Sequence, residues 1–222
     1  MQRKQHKLLR KLQNNIVKRI KINYNGIVGF GNPIYSGVIM KNSGTKRIKT
    51  ERLVLKKMKM SDWFYAKKWF CDPRVSVYSQ GTVQNTPHDM YRFLLQRVYN
   101  YYFKRKNNYY FWGIYLRHRM IGFIEVRDLT KERKYYWLYY MLSPEFQSNG
   151  YTTEALVNVI EYMKSQSAEI IYGACDTENK ASYRVLEKAD MTYIRHEEDI
   201  FHYPDGRVGA RELFGIKLKE QK

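Results

Sequence analysis

The sequence predicts an α/β fold with a mixed, mostly antiparallel central sheet flanked by helices. Three observations carry it. Segments of period-two and period-3.6 hydrophobicity alternate along the chain, without the strict βαβ repetition of a parallel sheet. The strand patterns Tyr109–Leu116 and Met120–Asp128 are separated only by Arg117-His118-Arg119, a hairpin connection. Further on, the strand pattern Tyr135–Leu142 passes through a loop with Pro144 and Gly150 straight into an amphipathic segment starting at Thr152.

Taken in order, regular structure is expected from Thr50. Glu51–Met58 alternates as a strand does. Ser61-Asp62 offers an N-cap for a helix over Trp63–Phe70, and Cys71-Asp72-Pro73 ends it. Pro87-His88-Asp89 starts a second helix, which Met90, Phe93, Leu94, Arg97 and Tyr101 carry at helical spacing to about Lys104. After the hairpin and the third strand come a helix from Thr152 to about Ser165 and a strand over Glu169–Cys175. Ala181–Ala189 reads as a short helix. Met191–Phe201 and Arg211–Lys217 read as strands around the turn Pro204-Asp205-Gly206. No internal repeat is present.

Composition narrows the class. Hydrophobic residues make up 44% of 222, enough for a packed core, and 21 tyrosines suit half-buried strands. No apolar run approaches a transmembrane length, so a soluble protein is expected. Two cysteines far apart, Cys71 and Cys175, indicate no disulfide framework and fit a reducing cytoplasm. The net charge of +19 is uneven: residues 1–50 hold twelve Lys/Arg and no acid, which leaves +7 for the rest. Residues 1–49 therefore read as a basic extension and 50–219 as the domain. Within the extension, Leu8, Leu9, Leu12, Ile16, Val17 and Ile20 lie at helical spacing among lysines and arginines, and residues 26–37 read as a glycine-punctuated loop. A basic amphipathic helix able to meet an anionic surface (ribosome, RNA or lipid) is one reading. An organellar transit peptide is another, although serine is nearly absent. A third is a true translational start at Met40.

The stretch from Tyr136 to Leu156 is the most informative. A strand ends, the chain turns at Gly150, and a helix begins. Free N–H groups and partial positive charge in a first helical turn suit a pyrophosphate, and glycine permits close approach to the backbone. Most strand–glycine–helix corners nonetheless bind nothing. Gln147-x-x-Gly150 followed by Tyr151-x-Thr153-Glu154-Ala155-Leu156 resembles the acetyl-CoA pyrophosphate loop of the GNAT acetyltransferases. Thr50-Glu51-Arg52-Leu53-Val54-Leu55, Leu142-Ser143-Pro144-Glu145, Asn179-Lys180-Ala181-Ser182 and Leu186-Glu187-Lys188 are similar, in the same order, to the branch containing the ribosomal-protein N-terminal acetyltransferases. Two positions depart from the family pattern. Thr152 replaces a small residue, and Asp190-Met191 replaces Gly-Phe, where an aspartate still tolerates a left-handed cap.

The resemblance implies that acetyl-CoA is the cosubstrate, with no metal. It implies that Gln147, Ser148, Asn149, Gly150, Tyr151 and Thr152 form the pyrophosphate loop. Met141 and Leu142 would supply backbone groups to the pantetheine arm, and an N–H there would stabilise the thioester oxygen during attack. Asn179 maps beside the pantetheine arm, or is simply a turn residue. The tyrosine that many members use to protonate the thiolate is replaced by Leu186, so Ser182 is the candidate hydrogen-bond donor, or a plain first-turn serine. Glu125, on a strand bordering the cleft, is the candidate base for the amine, or a surface carboxylate paired with a lysine. Glu197-Glu198-Asp199 is either an attractor for a cationic substrate or a solvated run. His88 and His118 read as cap and hairpin residues, and no His/Cys cluster has metal spacing. The implied function is transfer of acetyl to a primary amine, a protein N-terminus or a small amine, by direct attack in a ternary complex. The competing reading is a catalytically inactive protein of the same fold that binds ribosomes or nucleic acid.

Overall fold

The computed structural model describes residues 44–78, 86–103, 109–129, 134–202, 206 and 208–218. The amphipathic pattern of residues 8–20, the glycine-rich stretch and most of the 204–206 turn lie outside them. Eight strands form one sheet: β1 (Ile48–Lys49), β2 (Leu53–Lys56), β3 (Tyr109–Leu116), β4 (Arg119–Asp128), β5 (Tyr135–Leu142), β6 (Ile170–Asp176), β7 (Thr192–His202) and β8 (Val208–Lys217). Their spatial order is β1-β2-β3-β4-β5-β6-β8-β7. Every neighbouring pair is antiparallel except β5–β6, which is parallel. The expected mixed, mostly antiparallel sheet is thus what the chain forms.

Helices cover both faces, each above its own core. On one face lie α1 (Trp63–Phe70), the single turn α2 (Pro73–Ser76) and α3 (Pro87–Phe103). Beneath α1 and α3, Trp69, Phe70, Phe93, Phe111 and Phe123 are buried, with Phe111 and Phe123 rings 5.0 Å apart. On the other face lie α4 (Tyr151–Ser165) and α5 (Lys180–Lys188). Their buried residues (Ala155, Leu156, Val159, Ile160, Met163, Leu186) pack on Ile121, Ile124, Leu138, Leu142 and Ile171. The pleat sorts these sets, because successive residues of a strand point to opposite faces, except at Ile121, the extra residue of a bulge in β4.

Local chemistry explains where elements begin and end, and corrects two expected caps. Asp62 does not cap α1: it is already in a right-handed helical conformation, and its Oδ2 accepts from Lys59 N–H (2.7 Å) and from the Tyr115 hydroxyl. The turn thus starts one step earlier, as the 3-10 segment Met60–Asp62. For α3 the cap is Thr86 rather than His88. Asp89 Oδ2 accepts from Thr86 N–H (3.0 Å), and Thr86 Oγ1 accepts from Asp89 N–H (3.1 Å). Asp190 closes α5 at φ 58°, with Met191 N–H returning to Leu186 O at 3.1 Å. Packing begins before Thr50: Thr45 Oγ1 accepts from Phe111 N–H (3.0 Å), and Lys46 O from Trp112 Nε1 (2.7 Å).

Candidate active site

The parallel pairing of β5 and β6 covers only Tyr135–Trp137 against Ile170–Tyr172. Beyond Trp137 the two strands part, while β5 stays paired with β4 as far as Leu142. A wedge-shaped gap therefore opens in the middle of the sheet. Ser143 N–H bonds Ile121 O at 2.7 Å, so odd-numbered peptides of β5 bond to β4. By alternation, the peptide groups of Tyr140 and Leu142 face the gap, and that of Met141 belongs to the β4 ladder. The Leu142 carbonyl accepts from Gln147 Nε2 at 3.2 Å. At this end of β4, Gly122 lets the strands close in: a Cβ there would lie 2.3 Å from Met141 O.

The chain leaves β5 through a 3-10 turn, Pro144–Phe146, and reaches α4 across Gln147–Gly150. Ser148 (φ 62°) and Gly150 (φ 76°) are both left-handed, which bends the loop into a cup at the start of α4. The side chain of Asn149 braces it from within, donating to Gln147 O at 2.8 Å. The first α-helical bond is Glu154 N–H to Gly150 O, so N–H groups of Tyr151, Thr152 and Thr153 have no intrahelical acceptor. Half-buried Thr152 sits among them.

Glu154 fixes this helix start to the rest of the sheet. Its Oε1 accepts from the Thr50 hydroxyl (2.5 Å) and Arg52 N–H (2.8 Å), and its Oε2 from Arg52 Nε (2.7 Å). Arg52 also donates to Asn149 O (3.0 Å) and lies 4.6 Å from the Tyr151 ring centroid. Burial alone would raise the Glu154 pKa, but the Thr50 and Arg52 donors outweigh it and hold the carboxyl below its ordinary value. Two motifs a hundred residues apart are therefore one ionic clasp.

Across the gap, Asn179 is the N-cap of α5, accepting from Ser182 N–H at 3.0 Å. Ser182 meets a residue that sequence reasoning missed: Tyr140, whose hydroxyl lies 2.9 Å from Ser182 Oγ and 3.2 Å from Ser182 O. The phenol reaches from β5 to the first turn of α5. Burial pushes its pKa up, so it stays protonated and can donate. Leu186, one turn on, is fully buried in the core. Burial likewise raises the thiol of Cys175 to about 12, and both cysteines are free.

Glu125 lies on the opposite face, beside Tyr139 in the β4–β5 register, and is 3% exposed. Arg127 donates to both its oxygens, Nε to Oε1 at 2.5 Å and Nη2 to Oε2 at 3.1 Å, while Arg97 Nη2 is 3.7 Å away. In the Glu197–Asp199 run, Glu197 is held by Arg195 and Arg211, and Glu198 by His196. The structure thus gathers Gln147–Thr152, Leu142, Asn179 and Ser182 around one side of the gap and sets Glu125 on the other.

These features can be placed among known proteins. The family model for an acetyltransferase (GNAT) domain matches residues 52–192. The uncharacterized N-acetyltransferase YnaD of Bacillus subtilis (strain 168) is 28% identical over 147 residues, 65% of this chain and 81% of that protein. A GNAT-family acetyltransferase from Bacillus anthracis superposes with a TM-score of 0.69 at 23% identity, covering 79% of this chain and all of the other. The ribosomal-protein-S5-alanine acetyltransferase of Vibrio fischeri gives 0.66 at 19% identity, over 80% of this chain and 99% of its own.

Proposed function

The chain belongs to the GNAT acetyltransferase family, and from that premise we propose that it transfers acetyl from acetyl-CoA to a primary amine by direct attack in a ternary complex. The observation that carries this reading is the continuity of one path. It runs from the N–H cup at Gly150, along the unpaired edge of β5, to the Tyr140–Ser182 pair at the gap. The residues of the path fit the cosubstrate: a helix start for a pyrophosphate, strand peptides for an amide-bearing arm, and hydroxyls for a sulfur.

Acetyl-CoA would supply an activated acyl group; the chain's residues orient it and manage protons. The Leu142 or Tyr140 N–H facing the gap is placed to stabilise negative charge on the thioester oxygen. As the amine nitrogen bonds to the acyl carbon and the carbon–sulfur bond breaks, Ser182 Oγ donates a hydrogen bond to the departing thiolate. Tyr140 holds that hydroxyl in place. The amine must lose a proton on the Glu125 side. Each oxygen of Glu125 accepts one bond from Arg127 and keeps a second lone-pair site, where Glu125 would take that proton. The same reading places the protein in the cytoplasm, where Cys71 and Cys175 stay reduced.

The test is calorimetric CoA binding together with thiol release from acetyl-CoA across peptide N-termini, polyamines and aminoglycosides. CoA binding with turnover of at least one amine supports the reading. Tight CoA binding with no turnover of any amine would point to a binding factor. Gly150→Val should abolish CoA binding with the circular dichroism unchanged. The Cβ itself has room, 3.4 Å from Arg52 Nη2, but φ +76° is strained for a β-branched residue. Unchanged affinity would remove the cup from the model.

A further inference from the structure

The cup at the start of α4 has a donor beside it that does not come from its own segment. Arg52 stands 97 residues before Asn149, at the entrance of β2, and its guanidinium is held on three sides. Nε donates to Glu154 Oε2 at 2.7 Å, and Nη1 donates to Asn149 O at 3.0 Å. The Tyr151 ring covers it, with 4.6 Å between Cζ and the ring centroid. Nη2 is left over. Among the described residues it has no hydrogen-bond acceptor, and it stands 3.4 Å from the place a Cβ on Gly150 would take. Gly150 has no side chain, so nothing of its own stands between Nη2 and the turn from which α4 starts. The arginine side chain is 43% exposed.

Two properties suit this nitrogen to a phosphate oxygen. The donors of a guanidinium lie in one plane at fixed angles, so the held contacts orient the remaining one, and little rotamer freedom is left to lose when an oxygen arrives. The second property is charge. The free N–H groups of Tyr151, Thr152 and Thr153 carry the partial charge of a helix start, whereas an arginine adds a full one and makes a charge-assisted bond. A pyrophosphate carries oxygens on two phosphorus atoms, so a side-chain donor beside the first-turn N–H groups has an oxygen to meet.

We propose that Arg52 is a contact residue of the cosubstrate site, with Nη2 donating to a phosphate oxygen at Gly150 while the same guanidinium keeps Glu154. The acetyl-CoA reading supplies only the identity of the phosphate ester; the anion contact itself is a property of Arg52 and the cup. Glu154 then has two opposed effects. It orients the arginine, and its carboxylate, held ionised by the Thr50 and Arg52 donors, offsets part of the attraction that the guanidinium exerts on a phosphate.

The experiment is calorimetry of CoA and of inorganic pyrophosphate with the full chain and with variants that break this ion pair from opposite ends, each checked for folding by circular dichroism. Arg52→Gln should weaken CoA at least about tenfold, and pyrophosphate by a similar factor. Arg52→Lys keeps a cation for Glu154 but not the planar fork, and should lose about threefold or more. Glu154→Gln keeps an oxygen for the Thr50 hydroxyl and the Arg52 N–H, frees the guanidinium of its competing carboxylate, and should bind both probes at least as tightly as the wild type. An arginine that only anchors α4 to β2 predicts the contrary: loss of either partner would weaken CoA alike, and that result would overturn the proposal. Full CoA affinity in Arg52→Gln or Arg52→Lys would overturn it too. Pyrophosphate binding that depends on Arg52, in a wild-type chain that binds no CoA, would defeat the cosubstrate reading and leave the arginine contact standing. Wild-type binding of neither probe would overturn both.

Discussion

Tyr140 and Ser182 are a pair that neither strand nor helix explains alone. A tyrosine on β5 could pack its ring in the core and send its hydroxyl to water, as many do. Here the hydroxyl instead ends 2.9 Å from Ser182 Oγ, at the start of α5. If Tyr140 positions the serine hydroxyl toward a leaving sulfur, Tyr140→Phe should lower kcat about tenfold with KM for acetyl-CoA nearly unchanged, the worth of one hydrogen bond of roughly 1.4 kcal/mol. Ser182→Ala should lower it at least as much, and the double variant no further than Ser182→Ala alone. Additive losses would mean that the two hydroxyls act separately. Ser182 could be named in the sequence because it stands in a motif. Tyr140 could not, since it is one of five aromatic residues in an eight-residue strand pattern. What distinguishes it is the parting of β5 from β6, a property of the sheet and not of the strand.

At the scale of elements, the Glu154 clasp shows how a sequence motif acquires a physical reason. Thr50 and Arg52 at the entrance of β2 and Glu154 in the first turn of α4 were legible as separate pieces of family resemblance. Only the fold shows that they bond to each other. Because the carboxyl is held below its ordinary pKa in the folded chain, its contribution is complete above the unfolded glutamate value of about 4.3. It is lost as pH falls through the lower, folded value. Glu154→Gln should therefore cost about 1–2 kcal/mol at pH 7, and the gap to wild type should close under more acidic conditions. Thermal melts over that range check it, and a gap that widens toward low pH would contradict the clasp. A second element-level prediction concerns the wedge. Gly122→Ala places a methyl group against Met141 O and Leu142, which β5 can relieve only by moving away from β4. A loss of about 1–3 kcal/mol is expected, with weakened CoA binding, because the displaced strand end is the one that borders the gap. Unchanged CoA affinity in a destabilised variant would separate packing from site. Most strand and helix positions were read to within a residue or two, since periodicity reports them, but β1 and the turn α2 were not read and β8 begins at Val208, before the expected Arg211. The caps at Asp62 and Thr86 were not, because several polar residues compete at each helix start and tertiary partners such as Tyr115 decide.

On the scale of the whole molecule, charge is unevenly divided along the chain. The body carries a moderate excess of base, while residues 1–50 hold twelve of the forty Lys/Arg and no acid. Residues 44–49 pack on the sheet through Thr45, Lys46 and β1, and the eight bases within residues 1–21 come before them in the sequence. As a tether to an anionic surface, this extension would act by charge, and charge binding to RNA weakens steeply as salt rises, because each neutralised phosphate releases counterions. The full chain should bind RNA or anionic vesicles at low salt, and a chain starting at Met40 should bind far less. Acetylation of a small amine should be nearly equal in the two. The logarithm of RNA affinity should fall linearly with the logarithm of salt concentration, with a slope of about −0.7 for each contacted single-strand phosphate. A salt-independent affinity would assign the contact to apolar burial of the Leu8–Ile20 stripe. Turnover that changes on truncation would show that the extension reaches the gap, and would end the idea of an independent tether. N-terminal sequencing of the native protein decides first whether the extension is present, since a natural start at Met40 would remove its eight bases from the chain altogether.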